Sequence, residues 1–181
     1  MEPLQIIEKH YERESPSYHY LVRHSEMVTA KAVEVAGRVE RLKPDMAFIR
    51  EAAMLHDIGI FLTNAPSIGC DGEKPYLCHG YLGRDLMERE GFPRHALVCE
   101  RHIGVGITVE EIDAKSLPLP RRTIEPVTIE ERIICYADKF FSKQEEFLLK
   151  EKPIERIKKG LSKLGKEKVK RFEEMVAFFG A

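Results

Sequence analysis

Apolar positions along this chain recur mostly at intervals of three and four residues, and the alternation expected of strands is scarce. Residues 3–12 predict a first helix. Ser15-Pro16-Ser17 then breaks the chain and caps a second helix, from about Ser17 to Val39. Along it His24, Val28, Ala32, Val35, Ala36 and Val39 share one face. Pro44-Asp45 opens a third helix that ends at Asp57 or Ile58, with Gly59 as its stop signal. Residues 60–78 contain Pro66, Gly69, Gly72 and Pro75 and read as a long loop, a length that usually marks function or mobility.

Helices over 79–91 and 93–102 come next, then a short one at Val109–Lys115 and a Pro-rich connector over 117–126. Thr128-Ile129-Glu130-Glu131 reads as a capping box. The helix it opens carries Ile133, Ile134, Ala137, Asp138 and Phe141 on one side. Two amphipathic helices within 153–180 finish the chain, on Ile154, Ile157, Leu161 and Leu164, then Val169, Phe172, Val176 and Phe179. The expectation is an all-α bundle of about eight helices, forming one domain over 1–181.

Composition narrows the function classes. A chain of 181 residues buries enough surface to fold without disulfide or metal staples. With 43% apolar residues and a net charge of -1, neither disorder nor dedicated nucleic-acid binding is expected. No apolar run reaches the length of a membrane span. The start shows no basic segment leading into an apolar one, so no export signal is expected. Cys70, Cys78, Cys99 and Cys135 form no CxxC pair and scatter like small core residues, which suits a reduced, cytoplasmic protein.

The charge is unevenly spread. Residues 150–171 carry ten Lys or Arg against Glu151, Glu155 and Glu167, a local +7, and the rest of the chain sums to -8. These cations read as the wet faces of two amphipathic helices, with little aromatic interleaving for base stacking.

Six residues carry candidate chemistry: His24, the adjacent His56 and Asp57, His79, His102 and Asp138. Taken singly each has an ordinary role. His24 is a core histidine, His79 a neighbour of a helix start, His102 a helix C-terminal cation, and Asp138 a buried salt-bridge acid. Taken together, several inward-facing imidazoles and carboxylates from different helices are most cheaply satisfied by shared cations. Imidazole nitrogen and carboxylate oxygen suit divalent Fe, Mn, Co, Ni or Zn. Six donors exceed one tetrahedral site and suffice for two ions, with Asp57 as the bridge. Such a pair attracts phosphate and activates water. His10, His19 and His95 are assigned to surface or packing roles.

The ordered series His24 … His56-Asp57-Ile58-Gly59 … Asp138 resembles the HD-domain superfamily of metal-dependent phosphohydrolases in its HDIG form. The resemblance covers about residues 17–143. It implies that His24, His56, Asp57 and Asp138 hold a first metal, and that His79 and His102 add a second. His56 and Asp57 are then also the catalytic pair. It further implies cleavage of a phosphoester or phosphoanhydride bond in a nucleotide-like substrate through a metal-bound hydroxide. Members that cleave cyclic dinucleotides often carry Lys after HDIG and a GYP motif. This chain has Ile60, and His79-Gly80-Tyr81-Leu82 is no substitute, so that substrate is not expected.

Arg84, Arg101 and Lys139 are candidate substrate contacts, and Arg121-Arg122 is another if its connector covers the mouth. The loop over 60–78 is a candidate lid. The same ligand series also fits an HD-fold di-iron oxygenase, or a non-catalytic module that binds metal and nucleotide. The expected partner is a small phosphorylated molecule, without membrane or nucleic acid, and self-association is left open.

Overall fold

A computed structural model describes residues 1–180; Ala181 lies outside the described residues. The described residues form ten α-helices and a small sheet. In chain order they are α1 (Pro3–Ile7), α2 (Pro16–Arg38), α3 (Met46–Leu55), α4 (His79–Arg89), α5 (Pro93–Arg101), α6 (Val109–Lys115), α7 (Ile129–Asp138), α8 (Glu145–Leu148), α9 (Ile154–Ser162) and α10 (Lys166–Phe179). The architecture is largely all-α, as the periodicity predicts. α8 is the helix that periodicity does not announce, because four residues are barely one turn.

Local chemistry sets the helix starts. Ser15 caps α2 by accepting from the Tyr18 amide, and Pro16 takes the first helical position. Asp45 caps α3 through the Phe48 amide. The capping box expected at α7 is half formed. Thr128 accepts from the Glu131 amide, but the Glu131 carboxylate accepts from Val127 and holds Arg101 instead of turning back to Thr128. A complete box stands at Thr108 and Glu111, where it starts α6.

Two large apolar clusters fill the interior. One joins α2, α3 and α7 to the C-terminal helices, with Val28, Ala32, Ile133, Tyr136, Phe172 and Phe179 among its buried members. The other joins α1, the end of α3, α4 and α5, with Ile7, Leu21, Leu55 and Met87. Chain order puts the chemistry at their junction. His24 lies between Leu21 of one cluster and Val28 of the other, and His56-Asp57 follows Ala53 of one and Leu55 of the other.

Residues 60–78 are not the loop expected from their Pro and Gly content. They form three short strands, β1 (Thr63–Ala65), β2 (Cys70–Asp71) and β3 (Lys74–Pro75), with 3-10 turns before β1, between β1 and β2, and after β3. β1 pairs antiparallel with β2 and parallel with β3. The segment is tied to the HDIG turn by Tyr11, whose hydroxyl donates to the Ile58 carbonyl and accepts from the Phe61 amide. Strands of two or three residues are too short to show alternation, which is why periodicity misses them.

Candidate metal centre

Helix ends and close helix crossings bring the six residues together. His24 comes from the middle of α2. His56 and Asp57 come from the turn that ends α3. His79 opens α4, His102 closes α5, and Asp138 closes α7. Gly59 has an ordinary right-handed backbone, not the left-handed stop conformation expected of it. Its role is space. A Cβ there would lie 2.3 Å from the His79 carbonyl and 2.5 Å from the Gly83 nitrogen. At Gly80 a Cβ would lie 2.7 Å from Ile103. These two glycines let α4 lie against the HDIG turn and α5, which carries His79 to Asp57.

The donor atoms form two groups that share Asp57. His24, His56, Asp57 and Asp138 make one, and Asp57, His79 and His102 the other. His24 Nε2 lies 3.2 Å from Asp57 Oδ2 and 3.1 Å from Asp138 Oδ1. On the far side, His79 Nε2 and His102 Nε2 lie 3.0 and 3.3 Å from Asp57 Oδ1. All but Asp138 are buried, and Asp138 is half-buried.

Ring tautomers test whether cations fit. Nδ1 faces a backbone carbonyl in three rings: Ala53 for His56 at 2.6 Å, Tyr76 for His79 at 2.6 Å, and Val98 for His102 at 3.2 Å. A carbonyl only accepts, so each Nδ1 carries the hydrogen and each neutral ring is left with a bare Nε2. Those lone pairs face carboxylate oxygens and one another: His79 Nε2 and His102 Nε2 are 3.2 Å apart. His56 Nε2 is buried and has no hydrogen-bond partner among the described residues, although Asp57 Oδ2 is only 3.1 Å away. Lone pairs converging on carboxylates need positive charge between them. The residues fit divalent cations, and the nitrogen-oxygen set suits first-row transition metals.

The proton balance carries the same tension. Burial disfavours charge on Asp57, but His56, Lys143 and His79 outweigh it and hold the carboxyl well below its usual range. Asp138 is held down likewise, against burial, by Lys139, His24 and His56. For His56, burial loses to the charges of Asp57 and Asp138, so it rises to about 9. For His102 burial wins, and it falls to about 4. A metal-ligating imidazole must give up the competing proton, so cation binding and protonation oppose each other at His56.

Lys143 escaped the sequence reading. It lies five residues beyond Asp138, past the end of α7, where no helical face predicts its direction. Its ammonium donates to Asp57 Oδ2, and the Tyr76 ring lies beside it. Lys139 donates to Asp138 Oδ2 at 2.7 Å. Arg84 and Arg101 are placed elsewhere. Arg84 binds Glu88 and the buried Glu100, Arg101 binds the buried Glu131, and neither lines the cavity above Asp57. Arg121 pairs with Asp113 and Arg122 with Glu100, so the connector does not bring them to the mouth. His95 packs edge-on to Phe48 and Phe92, in the packing role assigned to it.

That cavity measures about 760 Å³, with His24, Asp57, His79, His102 and Asp138 at its floor. Lys139, Lys143, Lys152 and Arg156 supply positive charge around it, and Tyr76, Phe141 and Phe147 supply aromatic wall. Residues of 60–78 line it, and so does α9, its lip.

A profile of the HD domain matches residues 21–143. The chain belongs to the HD domain family. This HD protein is 34% identical over 143 residues to the tRNA (cytidine(56)-2'-O)-methyltransferase of Thermoplasma volcanium, covering 78% of this chain and 38% of that one. It is 35% identical over 121 residues to an uncharacterized protein of Methanocaldococcus jannaschii, covering 65% of this chain and 64% of that one. The chain thus spans less than two thirds of both relatives. In fold it is similar to the crystal structure of the HD domain of the Listeria monocytogenes phosphodiesterase PgpH, with TM-score 0.55, 16% identity and 94% of each chain covered. No helix among the described residues is long and apolar enough to cross a membrane.

Proposed function

We propose that this HD protein is a metal-dependent phosphohydrolase acting on a nucleotide-like substrate. One observation carries the reading: six nitrogen and oxygen donors from five parts of the fold converge on Asp57 at the floor of a cation-lined cavity. His24, His56, Asp57 and Asp138 would hold one divalent ion, and Asp57, His79 and His102 a second. When bound, such ions polarise a phosphoryl oxygen and lower the pKa of water.

The remaining work belongs to this chain's own groups. Half-buried Lys143 and Lys139 hold their ammonium groups beside the two carboxylates, where phosphate oxygens would lie. Positive charge placed there before substrate arrives stabilises charge that grows on those oxygens during the reaction. Phe141, Phe147 and Ile157 give the cavity an apolar flank that excludes water and accepts a base or sugar. Four cationic side chains around the cavity favour this reading over an oxygenase with the same ligands. Methyl transfer is not proposed, because the chain covers 38% of the relative so named. The tRNA in that relative's name supports a substrate built from nucleotides. Four free, buried cysteines support a reducing, cytoplasmic setting.

The test is hydrolysis of a panel of nucleotides and phosphodiesters by protein loaded with Mn²⁺ or Fe²⁺ without oxygen. Phosphate or nucleotide release is expected, and Asp57→Ala lowers turnover at least ~100-fold, since even loss of a group behind a metal ligand costs 10–100-fold. Undiminished turnover in the variant would remove Asp57 from its central role.

A further inference from the structure

The cavity does not end at its cations. α9 forms its lip through Arg156, Ile157, Gly160 and Leu161. Ile157 and Leu161 are buried against the first apolar cluster, which fixes the rotation of the helix. At about 100° per residue, Lys152 (just before the helix), Arg156, Lys159 and Lys163 fall within an arc of about 60° beside the cavity-facing side. They differ in what they do. Lys152 is half-buried and spends its ammonium on the Phe141 and Lys139 carbonyls. Arg156, Lys159 and Lys163 are exposed and have no acidic partner among the described residues. Glu155, on the same helix, is paired with Lys158.

A row of solvated lysines on a helix is ordinary. This one starts at the mouth of the candidate site, and that continuity separates it from the other basic residues of the tail. Arg156 to Lys163 spans about 10 Å along the axis. Phosphates of even a fully stacked strand advance only ~3.4 Å per nucleotide along its axis, so the row has room for at least two of them. Tyr76 lines the same cavity, is 37% exposed, and sets its ring centroid 4.6 Å from that of His79. A cationic track combined with an aromatic platform is how single strands are held without sequence preference.

Resting on the phosphohydrolase reading above, we propose that the substrate is the end of a single-stranded oligonucleotide. Its reacting phosphate lies over Asp57, a base stacks on Tyr76, and the following phosphates run outward along Arg156, Lys159 and Lys163. A mononucleotide fills the cavity and leaves the outer row unused. These residues of α9 then have a role beyond wet surface; on α10, Lys166 and Lys170 are exposed as expected, whereas Lys168 is buried against Glu111 and Arg171 pairs with Glu125.

The experiment measures binding of phosphorothioate oligonucleotides, which resist cleavage, at lengths of one, two and four nucleotides. RNA and DNA are run in parallel on Mn²⁺-loaded protein. Affinity should rise with length. Lys159→Gln/Lys163→Gln should lose that rise and lower the log–log salt slope for the tetranucleotide by about 1.4, two cations at ~0.7 each. Circular dichroism checks that the variant is folded. A rise in RNA alone, or in both series, supports the track and names the sugar. Equal affinity for one and four nucleotides overturns the proposal, and so does a length effect that the double variant keeps. Hydrolysis of the ordinary tetranucleotide is scored separately. Length-dependent binding without hydrolysis upholds the track and contradicts the phosphohydrolase reading beneath it.

Discussion

The floor and the lip of the cavity are built on opposite principles. On the floor, the histidines and Asp57 are buried, and three imidazoles are locked by backbone carbonyls. Their positions follow from the helices that carry them. At the lip, α9 offers exposed, flexible cations that nothing nearby neutralises, and β1–β3 offer short strands held by the Tyr11 hydroxyl. The floor has the rigidity that metal geometry demands. The lip has the adaptability that the proposed oligonucleotide would require. On the proposed function, the first would set the chemistry and the second the selectivity.

The largest expected effect beyond the ligands tests whether the C-terminal helices are part of the same body as the floor. Phe172 is fully buried in the cluster that includes Val28 and Tyr136, and it stacks on Tyr136. Phe172→Ala should cost about 3–5 kcal/mol and lower the melting midpoint by roughly 6–20 °C. A change under ~1 kcal/mol would detach the C-terminal helices from the core and the lip from the floor.

Next comes the boundary between the two regions. Lys143 is the cation closest to Asp57 and belongs to the segment leading to the lip. Lys143→Met should lower kcat/KM for a phosphate-bearing substrate by roughly 10- to 100-fold, the worth of a hydrogen bond to a charged group. Steady-state kinetics on any hydrolysed substrate provides the check. An unchanged kcat/KM would make Lys143 a packing residue.

The smallest effect lies away from the cavity. Burial lowers the pKa of His95, against the pull of Glu51. The folded state therefore holds its proton less tightly than the unfolded chain does. The neutral form is fully accommodated above the unfolded value of about 6.5, and stability is lost as pH falls through that value toward the folded one. Relative to His95→Gln, the wild type should lose part of its stability between pH 7 and pH 5, read by denaturant midpoints. Parallel curves would remove His95 from the pH dependence.

Legibility follows the same divide. His24 could be read because it shares a stripe with Val28 and Ala32, and Asp138 because it follows Ile133 and Ile134 on an inward face. Their convergence on Asp57 came from order and resemblance, since one sequence does not reveal which helices cross. Gly59 was visible as a glycine but misread as a helix stop, because steric room between two crossing backbones leaves no local signature. Lys143, Arg84 and Arg101 show the limit most clearly. Of the cations near ligands in sequence, Arg101 reaches Glu131 and Arg84 reaches Glu100, Lys139 does reach Asp138, and Lys143 at Asp57 stands beyond the helix end. Partner choice among long cations depends on which carboxylate tertiary folding brings near, and periodicity carries no information about that.

The central claim is that the floor is a centre for two cations bridged by Asp57. Elemental analysis of wild type and Asp57→Ala, both purified without oxygen and loaded identically, tests it most directly. The account predicts about two divalent transition ions per wild-type chain and loss of both in the variant. A wild type that retains none, or an Asp57→Ala protein that retains both, would contradict it.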